Sequence, residues 1–195
     1  NALIQIVHTL PRTFNLDEYY PISRNHPKSF YGYMYDRFFD NVNVPENGIH
    51  IPDGSTENIE KECQEYEKTI KKSGGLDLTV LGIGENGHIG YNEPGSKLGS
   101  ETRLVELDQS TAINDELENK TGSIDRALTM GISTIMRSNE ILLLASGAEK
   151  KEAIKRTVRG EVATKTPASV LQLHPSVTIY LDEYAAKDLK NINLV

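Results

Sequence analysis

Short apolar runs alternate with segments of helical periodicity along this chain, and that alternation limits its fold more than any other feature. The clearest runs are LDLTVLGIG at 76–84 and EILLLASG at 140–147. Apolar runs of this length between helical segments are typical of parallel strands that are buried on both faces. The pattern therefore predicts an α/β fold built on an open, mainly parallel sheet with helices on both faces.

The bounds of the predicted elements follow from the same periodicities. Strands are predicted at 3–7, 12–16, 76–84, 102–107, 140–147 and 177–186, and helices at 26–42, 55–75, 123–138, 148–160 and 167–175. In the helix at 55–75, Ser55 is the predicted N-cap and Gly74 the terminating residue. No repeat, low-complexity segment or proline-rich linker divides the chain, so a single domain over residues 1–195 is expected.

Composition disfavours several classes of protein. The 195 residues carry 28 acidic and 21 basic side chains, a net charge of −7. That balance disfavours nucleic-acid binding, which needs a basic surface, although backbone N–H groups can still hold an anionic small molecule. No run approaches the roughly 18 apolar residues of a membrane span, so no membrane partner is expected. The single cysteine, Cys63, predicts a plain thiol in a reducing, cytoplasmic setting.

The segment GIGENGHIGYNEPG at 82–95 follows an apolar run and could serve either of two purposes. Its first glycines have the G-x-G-x-x-G spacing of a dinucleotide-binding turn. Such a turn must open a packed crossover helix. The stretch at 88–100 contains Pro94 and three more glycines, which would weaken a helix badly. A dinucleotide site is therefore disfavoured, and the glycines are interpreted as giving a substrate close access to the backbone.

Three polar side chains in this loop suit acid–base chemistry. His88 can carry a proton near neutral pH, and Glu93 can hold the orientation and charge state of its imidazole. Asn86 can donate or accept a hydrogen bond without titrating. A hydrogen-bonded loop histidine with no chemical role is the alternative. The functional interpretation is favoured because the loop follows a strand, where ligands bind in open α/β sheets.

Asp17, in TFNLDEYY, is a second candidate because it ends the predicted strand at 12–16. A helix-capping or turn aspartate is the alternative. As a functional group, Asp17 would be a carboxylate base that faces the same crevice as His88. A carboxylate on one strand end and a His–Glu pair on another suit proton shuttling on a small polar substrate.

Four motifs closely resemble those of glucosamine-6-phosphate deaminases. They are TFNLDEYY (13–20), LGIGENGHIGYNEPGS (81–96), LTMGIST (128–134) and ASVLQLHP (168–175). The resemblance runs from about Arg12 to Tyr184, and its GHIGYNEP block is highly specific. The related 6-phosphogluconolactonases have a similar glycine–histidine loop without the Asn-Glu-Pro that follows it. The resemblance implies a Rossmann-like fold that here lacks its first strand–helix unit.

The resemblance also implies a reaction and a role for each matched residue. Glucosamine 6-phosphate and water would become fructose 6-phosphate and ammonia, with no metal or organic cofactor. Asp17 would take the proton from C2 and return it at C1, and His88 would assist opening of the sugar ring. Asn86 and Glu93 would position and tune the histidine. Many family members have aspartate where this chain has Asn86.

Phosphate binding is where the chain departs from the family pattern. Lys150 matches the family's phosphate-binding lysine, with an exposed helix lysine as the alternative, and Gly84 and Gly87 are expected to contact the substrate. The family's Gly/Thr-rich phosphate loop lies well before the aspartate, but 16 residues precede Asp17 here. A fragment without its amino-terminal portion is the expected reason. The family's phosphate-contacting arginine has no counterpart, since 113–118 read INDELE, which favours a diverged member.

Two rival functions stay open. A 6-phosphogluconolactonase-like hydrolase would act on a lactone and release no ammonia. A sugar-phosphate-sensing module would not need a proton-transfer set, so the presence of Asp17, His88 and Glu93 together disfavours it. Family members range from monomers to hexamers, and a homo-oligomer is therefore one of the expected states.

Overall fold

The computed structural model describes residues 11–108, 113–115 and 122–189. The strand predicted at 3–7 lies outside them, as does part of the segment at 113–118. The chain divides into two compact units, the first formed by residues 1–73 and 102–129 and the second by residues 74–101 and 130–195. Each unit is described by itself, and the expectation of a single domain stays a prediction.

The elements are numbered in chain order. The strands are β1 (Thr13–Phe14), β2 (Asp17–Tyr20), β3 (Ile49–His50), β4 (Leu78–Leu81), β5 (Arg103–Glu106), β6 (Ile113–Asp115), β7 (Gly122–Ile124), β8 (Arg126–Thr129), β9 (Glu140–Ala145) and β10 (Val177–Leu181). The α-helices are α1 (Phe30–Arg37), α2 (Ile59–Lys72), α3 (Ile132–Ile135) and α4 (Lys151–Arg159). Short 3-10 helices lie at Phe39–Asn41, Glu46–Gly48, Ala148–Lys150, Pro167–Leu173 and Lys187–Leu189.

A three-stranded parallel sheet, in the order β10–β9–β4, forms the centre of the second unit. Alternate residues of a strand point to opposite faces, and Leu81, Ile141 and Leu143, each at most 1% exposed, bury one face of this sheet. The amphipathic helix α4 buries Ala153 and Ile154. Parallel strands combined with such helices confirm the predicted α/β class.

An antiparallel sheet, in the order β2–β8–β5, forms the centre of the first unit. β8 pairs with β2 on one side and with β5 on the other, so each of its residues belongs to a row across three strands. Two smaller pairings are the parallel pair β1–β3 and the antiparallel pair β6–β7. Apolar runs alone do not reveal the antiparallel sheet, because its strands have four residues each and the segment of β8 also fits a helical periodicity.

The helix predicted at 123–138 is wrong. Arg126–Thr129 forms strand β8, and α3 at Ile132–Ile135 is the α-helical part of that range. Leu128 and Thr129 are both fully buried. Because successive side chains of a strand point to opposite faces, both faces of β8 are covered here. The apolar residues of this segment also fit a helical periodicity, and pairing with β2 and β5 overrides it.

The helix predicted at 55–75 exists but starts later. Helix α2 begins after Asn58, whose Oδ1 accepts a hydrogen bond from the Lys61 N–H at 3.0 Å. Ser55, the predicted N-cap, therefore lies outside the helix. The predicted end is confirmed, because Gly74 follows the last turn with a φ of 94°, a conformation that favours glycine.

The remaining predicted elements are present with shorter bounds. The strand predicted at 12–16 is reduced to β1, and those at 76–84, 102–107, 140–147 and 177–186 are confirmed as β4, β5, β9 and β10. The helix predicted at 26–42 is α1 followed by a 3-10 turn, the one at 148–160 is confirmed as a 3-10 turn followed by α4, and the one at 167–175 is a 3-10 helix.

Glu18 is a buried carboxylate that joins β2 to the start of α1. Its side chain is 1% exposed. Oε2 accepts hydrogen bonds from the Ser29 hydroxyl at 2.8 Å and the Tyr31 N–H at 2.9 Å, and Oε1 accepts one from the Phe30 N–H at 2.9 Å. A carboxylate at a helix N-terminus satisfies N–H groups that have no partner within the helix. Glu18 therefore fixes the position of β2, the strand that also carries Asp17, relative to the start of α1.

Candidate active site

The glycine loop of the second unit follows the carboxyl end of β4 and folds back on itself. The Gly84 N–H donates to the His88 carbonyl at 3.0 Å, and the Gly87 N–H donates to the Gly84 carbonyl at 3.0 Å. Gly87 has a φ of 92°, which residues with a side chain rarely adopt. This tight turn brings the His88 ring back against the backbone of the loop.

Asn86, His88 and Glu93 come together in this loop as the sequence predicts. Nδ1 of His88 lies 3.0 Å from Oε1 of Glu93. The Asn86 amide donates to Oε2 of the same carboxylate at 2.6 Å, and its Oδ1 accepts from the His88 N–H at 3.0 Å. Asn86 thus binds both the carboxylate of Glu93 and the backbone of His88. The chemical roles of the three residues stay a prediction.

The contact between His88 and Glu93 is at ion-pair distance, but it lacks the geometry of a hydrogen bond. Both atoms are buried, while the two side chains are 21% and 17% exposed. A carboxylate beside Nδ1 favours a proton on that nitrogen, which leaves Nε2 as the atom that can exchange a proton with a substrate.

Gly84 and Gly87, expected to contact the substrate, both make close packing contacts within the unit. A Cβ at Gly84 would lie 2.5 Å from Cε1 of the His88 ring and 2.6 Å from each ring nitrogen. A Cβ at Gly87 would lie 2.9 Å from Cγ2 of Thr166. The His88 ring therefore occupies the space that a side chain at Gly84 would fill. Substrate contact by either glycine stays a prediction.

Asn92 is a site residue that sequence reasoning missed. It is fully buried, and its amide donates to the carbonyls of Ile89 and Met130 at 2.9 Å each. These bonds attach the loop segment next to Glu93 to the LTMGIST motif. The available signal was the position of Asn92 inside the specific GHIGYNEP block, but its partner Met130 is far away in sequence.

Lys150 lies in the loop region that follows β9, the strand next to β4 in the parallel sheet. The carboxyl ends of neighbouring parallel strands meet at one edge of a sheet, where ligands bind in open α/β folds. The side chain of Lys150 is partly exposed. The lysine and the His88 loop thus follow adjacent strand ends of the same sheet, and a phosphate contact by Lys150 stays a prediction.

Asp17 belongs to the first unit, where it is the first residue of β2 and not the end of a strand as predicted. It lies directly opposite Thr129 of β8 in the antiparallel pair. The Thr129 hydroxyl donates a hydrogen bond to Oδ1 of Asp17. The expectation that Asp17 and His88 face one crevice stays a prediction.

Two ionisable side chains of the first unit bear on Asp17, one through the sheet register and one through its charge. Arg103 of β5 continues the same row, since it pairs with Thr129 from the other side, and burial lowers the pKa of its guanidinium. Tyr66 of α2 donates its hydroxyl to the Asn15 carbonyl at 2.7 Å. Burial raises the pKa of Tyr66 well above its usual value, and the charge of Asp17 raises it further.

The described ranges contain neither a metal-binding cluster nor a membrane-spanning helix. No group of three or more His, Cys, Asp or Glu side chains in those ranges is arranged to hold a metal ion. Likewise, none of the described helices is long and apolar enough to cross a bilayer. Cys63 is buried, and its burial, followed by the nearby Glu62 and Glu67, raises the pKa of its thiol to about 11. A thiol of that kind is a poor nucleophile near neutral pH.

Comparison with known proteins gives consistent matches over nearly the whole chain. Residues 12–180 match the family described as glucosamine-6-phosphate isomerases/6-phosphogluconolactonase. A glucosamine-6-phosphate deaminase from Thermoanaerobacter pseudethanolicus is 46% identical over 190 residues, which are 94% of this chain and 75% of the relative. Another from Alkaliphilus metalliredigens is 49% identical over 177 residues, 90% of this chain and 73% of the relative.

Solved structures show the same relationship. A monomeric glucosamine-6-phosphate deaminase is 40% identical to this chain, with a TM-score of 0.84, and the match covers 90% of this chain and 74% of that one. A 6-phosphogluconolactonase from Trypanosoma cruzi shares the fold, with a TM-score of 0.73 at 22% identity over 92% of this chain and 73% of that one. The chain therefore belongs to the glucosamine-6-phosphate isomerase/6-phosphogluconolactonase family.

Proposed function

We propose that this protein is a glucosamine-6-phosphate deaminase, which converts glucosamine 6-phosphate and water to fructose 6-phosphate and ammonia. The observation that carries the proposal is the Asn86–His88–Glu93 cluster, an imidazole held by a carboxylate and an amide after a strand end. Similarity supports the deaminase over the lactonase, since curated deaminases share 46% and 49% identity with the chain. The solved lactonase at 22% identity shows the fold alone.

In this proposal His88 opens the sugar ring. The imidazole takes the proton from the C1 hydroxyl and a proton is delivered to the ring oxygen as the bond between C1 and that oxygen breaks. The carboxylate of Glu93 stabilises the imidazolium formed on the way, and Asn86 holds that carboxylate in place. The product of this step is the open-chain aldehyde, whose C2 proton is acidic.

Asp17 carries out the isomerisation in the same proposal. Its carboxylate removes the proton from C2 while the aldehyde oxygen gains a proton, which gives an enolamine. Return of the proton to C1 turns the C2 amine into an iminium. Water then adds at C2 and ammonia leaves, so that the reaction as a whole is an aldose–ketose isomerisation coupled to hydrolysis of a C–N bond. The bond cleavages, at the ring oxygen and at the C2 nitrogen, are each accompanied by proton transfers, and side chains can carry out those transfers without a cofactor.

Lys150 is the proposed phosphate contact. A lysine at a strand end provides a point charge for a phosphate, and its loop follows the strand next to that of the His88 loop. A reducing, cytoplasmic setting is part of the proposal and agrees with the single free thiol of Cys63. The oligomeric state stays a prediction, with a monomer among the solved relatives.

A direct assay separates the proposed function from its rival. The intact protein is incubated with glucosamine 6-phosphate, and ammonia and fructose 6-phosphate are measured in parallel. A 6-phosphogluconolactone sample serves as the second substrate, and free glucosamine as the control without phosphate. The proposal expects ammonia and fructose 6-phosphate in equal amounts with the first substrate only. Hydrolysis of the lactone without ammonia release from the amino sugar would replace this proposal with the lactonase.

A further inference from the structure

We propose that the hydroxyl of Thr129 positions the carboxylate of Asp17 for proton transfer, a role that rests on the proposed function. Thr129 is the last residue of β8 and is fully buried. It lies directly opposite Asp17 in the antiparallel pair of β8 and β2. Its hydroxyl donates a hydrogen bond to Oδ1 of Asp17.

The register of the sheet makes this bond a consequence of the fold. Residues directly opposite each other in an antiparallel pair project from the same face, with Cβ atoms about 4.5–5.5 Å apart. A threonine hydroxyl and an aspartate carboxylate therefore meet across this pair. Threonine is stiff at χ1, and burial among neighbouring strands restricts it further. The bond to Oδ1 thus fixes the plane of the carboxylate and with it the direction of Oδ2.

The same hydrogen bond affects the charge state of the base. A hydroxyl that donates to a carboxylate stabilises the ionised form, the form that can accept the C2 proton. The other charged group in this row is Arg103, which pairs with Thr129 from β5, and Tyr66 of α2 lies within the electrostatic reach of Asp17. The contribution assigned to Thr129 is the hydrogen bond that its neutral hydroxyl donates directly to Oδ1.

The test replaces Thr129 by valine and by serine in the intact protein. Valine keeps the shape and burial but removes the hydroxyl, whereas serine keeps the hydroxyl. Thr157→Val is the matched control, because Thr157 is also buried and its hydroxyl donates to the Ala153 carbonyl in α4, at 2.8 Å. Ammonia release is measured as kcat and KM from pH 5 to 9 for wild type and all three variants.

We expect Thr129→Val to lower kcat by roughly 10- to 100-fold, the effect of losing one hydrogen bond to a charged group. KM should change by less than about threefold, because the contact is to the base and not to the sugar. The acidic limb of the kcat profile should move to higher pH, since the carboxylate loses a donor that favours its ionised form. Thr129→Ser should restore most of kcat and the wild-type profile, and Thr157→Val should match wild type.

Three outcomes overturn the proposal, and the last of them also overturns the proposed function. Suppose that wild type is active and that the Thr129→Val variant folds. If this variant then keeps the wild-type kcat and pH profile, Thr129 has no positioning role. The same conclusion follows if Thr129→Ser is as impaired as Thr129→Val, since the hydroxyl is then not the reason for the loss. A wild-type protein that releases no ammonia overturns the proposed function itself, and this role with it.

Discussion

Nδ1 of His88 lies 3.0 Å from Oε1 of Glu93, and the other oxygen of that carboxylate accepts a hydrogen bond from the Asn86 amide at 2.6 Å. All three residues lie within eight positions of one loop. The imidazole is therefore oriented by its own loop, and Nε2 is the nitrogen left for exchange with a substrate.

Replacing His88 by glutamine should slow ring opening more than the later steps. We expect kcat for ammonia release to fall by about 10²–10⁴-fold, the usual contribution of a general acid–base group. With substrate deuterated at C2, the isotope effect on kcat should approach 1 in the variant, because ring opening becomes the slow step. A variant that is slow but keeps a full isotope effect would instead assign His88 to the C2 proton transfer.

Alanine at Gly84 should displace the imidazole. A Cβ at this position would lie 2.5 Å from the His88 ring, so the ring must move, and misplacement of about 1 Å can cost about 10²-fold in rate. Gly82→Ala is the matched control, because a Cβ at Gly82 meets nothing within 4 Å. We expect kcat to drop at least about tenfold for Gly84→Ala and to stay near wild type for Gly82→Ala. Equal activity of the two variants would mean that the ring contact is irrelevant.

Glutamine at Glu18 should destabilise the first unit. The carboxylate accepts from the Ser29 hydroxyl and from the N–H groups of Phe30 and Tyr31, and an amide nitrogen cannot accept at one of its two positions. We expect the free energy of unfolding to fall by about 2–3 kcal/mol in urea titrations, because buried donors lose their acceptor. Glu57→Gln, at an exposed position, should change it by less than about 0.5 kcal/mol. Similar values for the two variants would contradict a buried capping role.

His50 should make the fold less stable on the acidic side of neutrality. Burial, followed by the charge of Arg12, lowers the pKa of His50 from 6.5. The unfolded chain therefore binds a proton at a higher pH than the folded chain, so the stabilisation is present above about pH 6.5 and is lost as the pH falls. The loss should stay below about 1 kcal/mol because the ring is partly exposed.

The measurement is the free energy of unfolding at pH 7.5 and at pH 5.5 for wild type and for His50→Gln. Wild type should lose more stability between the two pH values than the variant does. Identical losses would show that His50 does not contribute to the pH dependence. The His50 ring also stacks on Phe14, with 4.5 Å between the ring centroids. The absolute stability of the variant is therefore expected to differ from that of wild type, and the quantity compared is the change in the free energy of unfolding between the two pH values.

The sequence was most informative where the interacting residues are close along the chain. The Asn86–His88–Glu93 cluster could be predicted because its three members share one glycine loop after an apolar strand. The parallel strands β4 and β9 could be recognised from their unbroken apolar runs. In both cases the residue pattern over a short stretch of sequence already corresponds to the structure that this stretch adopts.

Prediction failed where a partner far away in the sequence decided the outcome. The segment Arg126–Thr129 fits a helical periodicity, yet it is a strand because β2 and β5 pair with its two sides. The contact of Thr129 with Asp17 depends on that register, and so it was not visible in the sequence. The same holds for Asn92, whose amide reaches the Met130 carbonyl. Hydrogen bonds that depend on sheet register or on the folding of a loop cannot be recognised from the residues next to either partner in the sequence.

The most direct test of the acid–base mechanism is the Asp17→Asn variant of the intact protein. Asparagine has the same shape as aspartate but cannot accept the C2 proton, and the protein should still fold, as circular dichroism would show. With glucosamine 6-phosphate deuterated at C2, wild type should release ammonia and carry deuterium from C2 to C1 of fructose 6-phosphate. The variant should do neither at a measurable rate. Ammonia release from folded Asp17→Asn at the wild-type rate would remove Asp17 from the chemistry and contradict the mechanism.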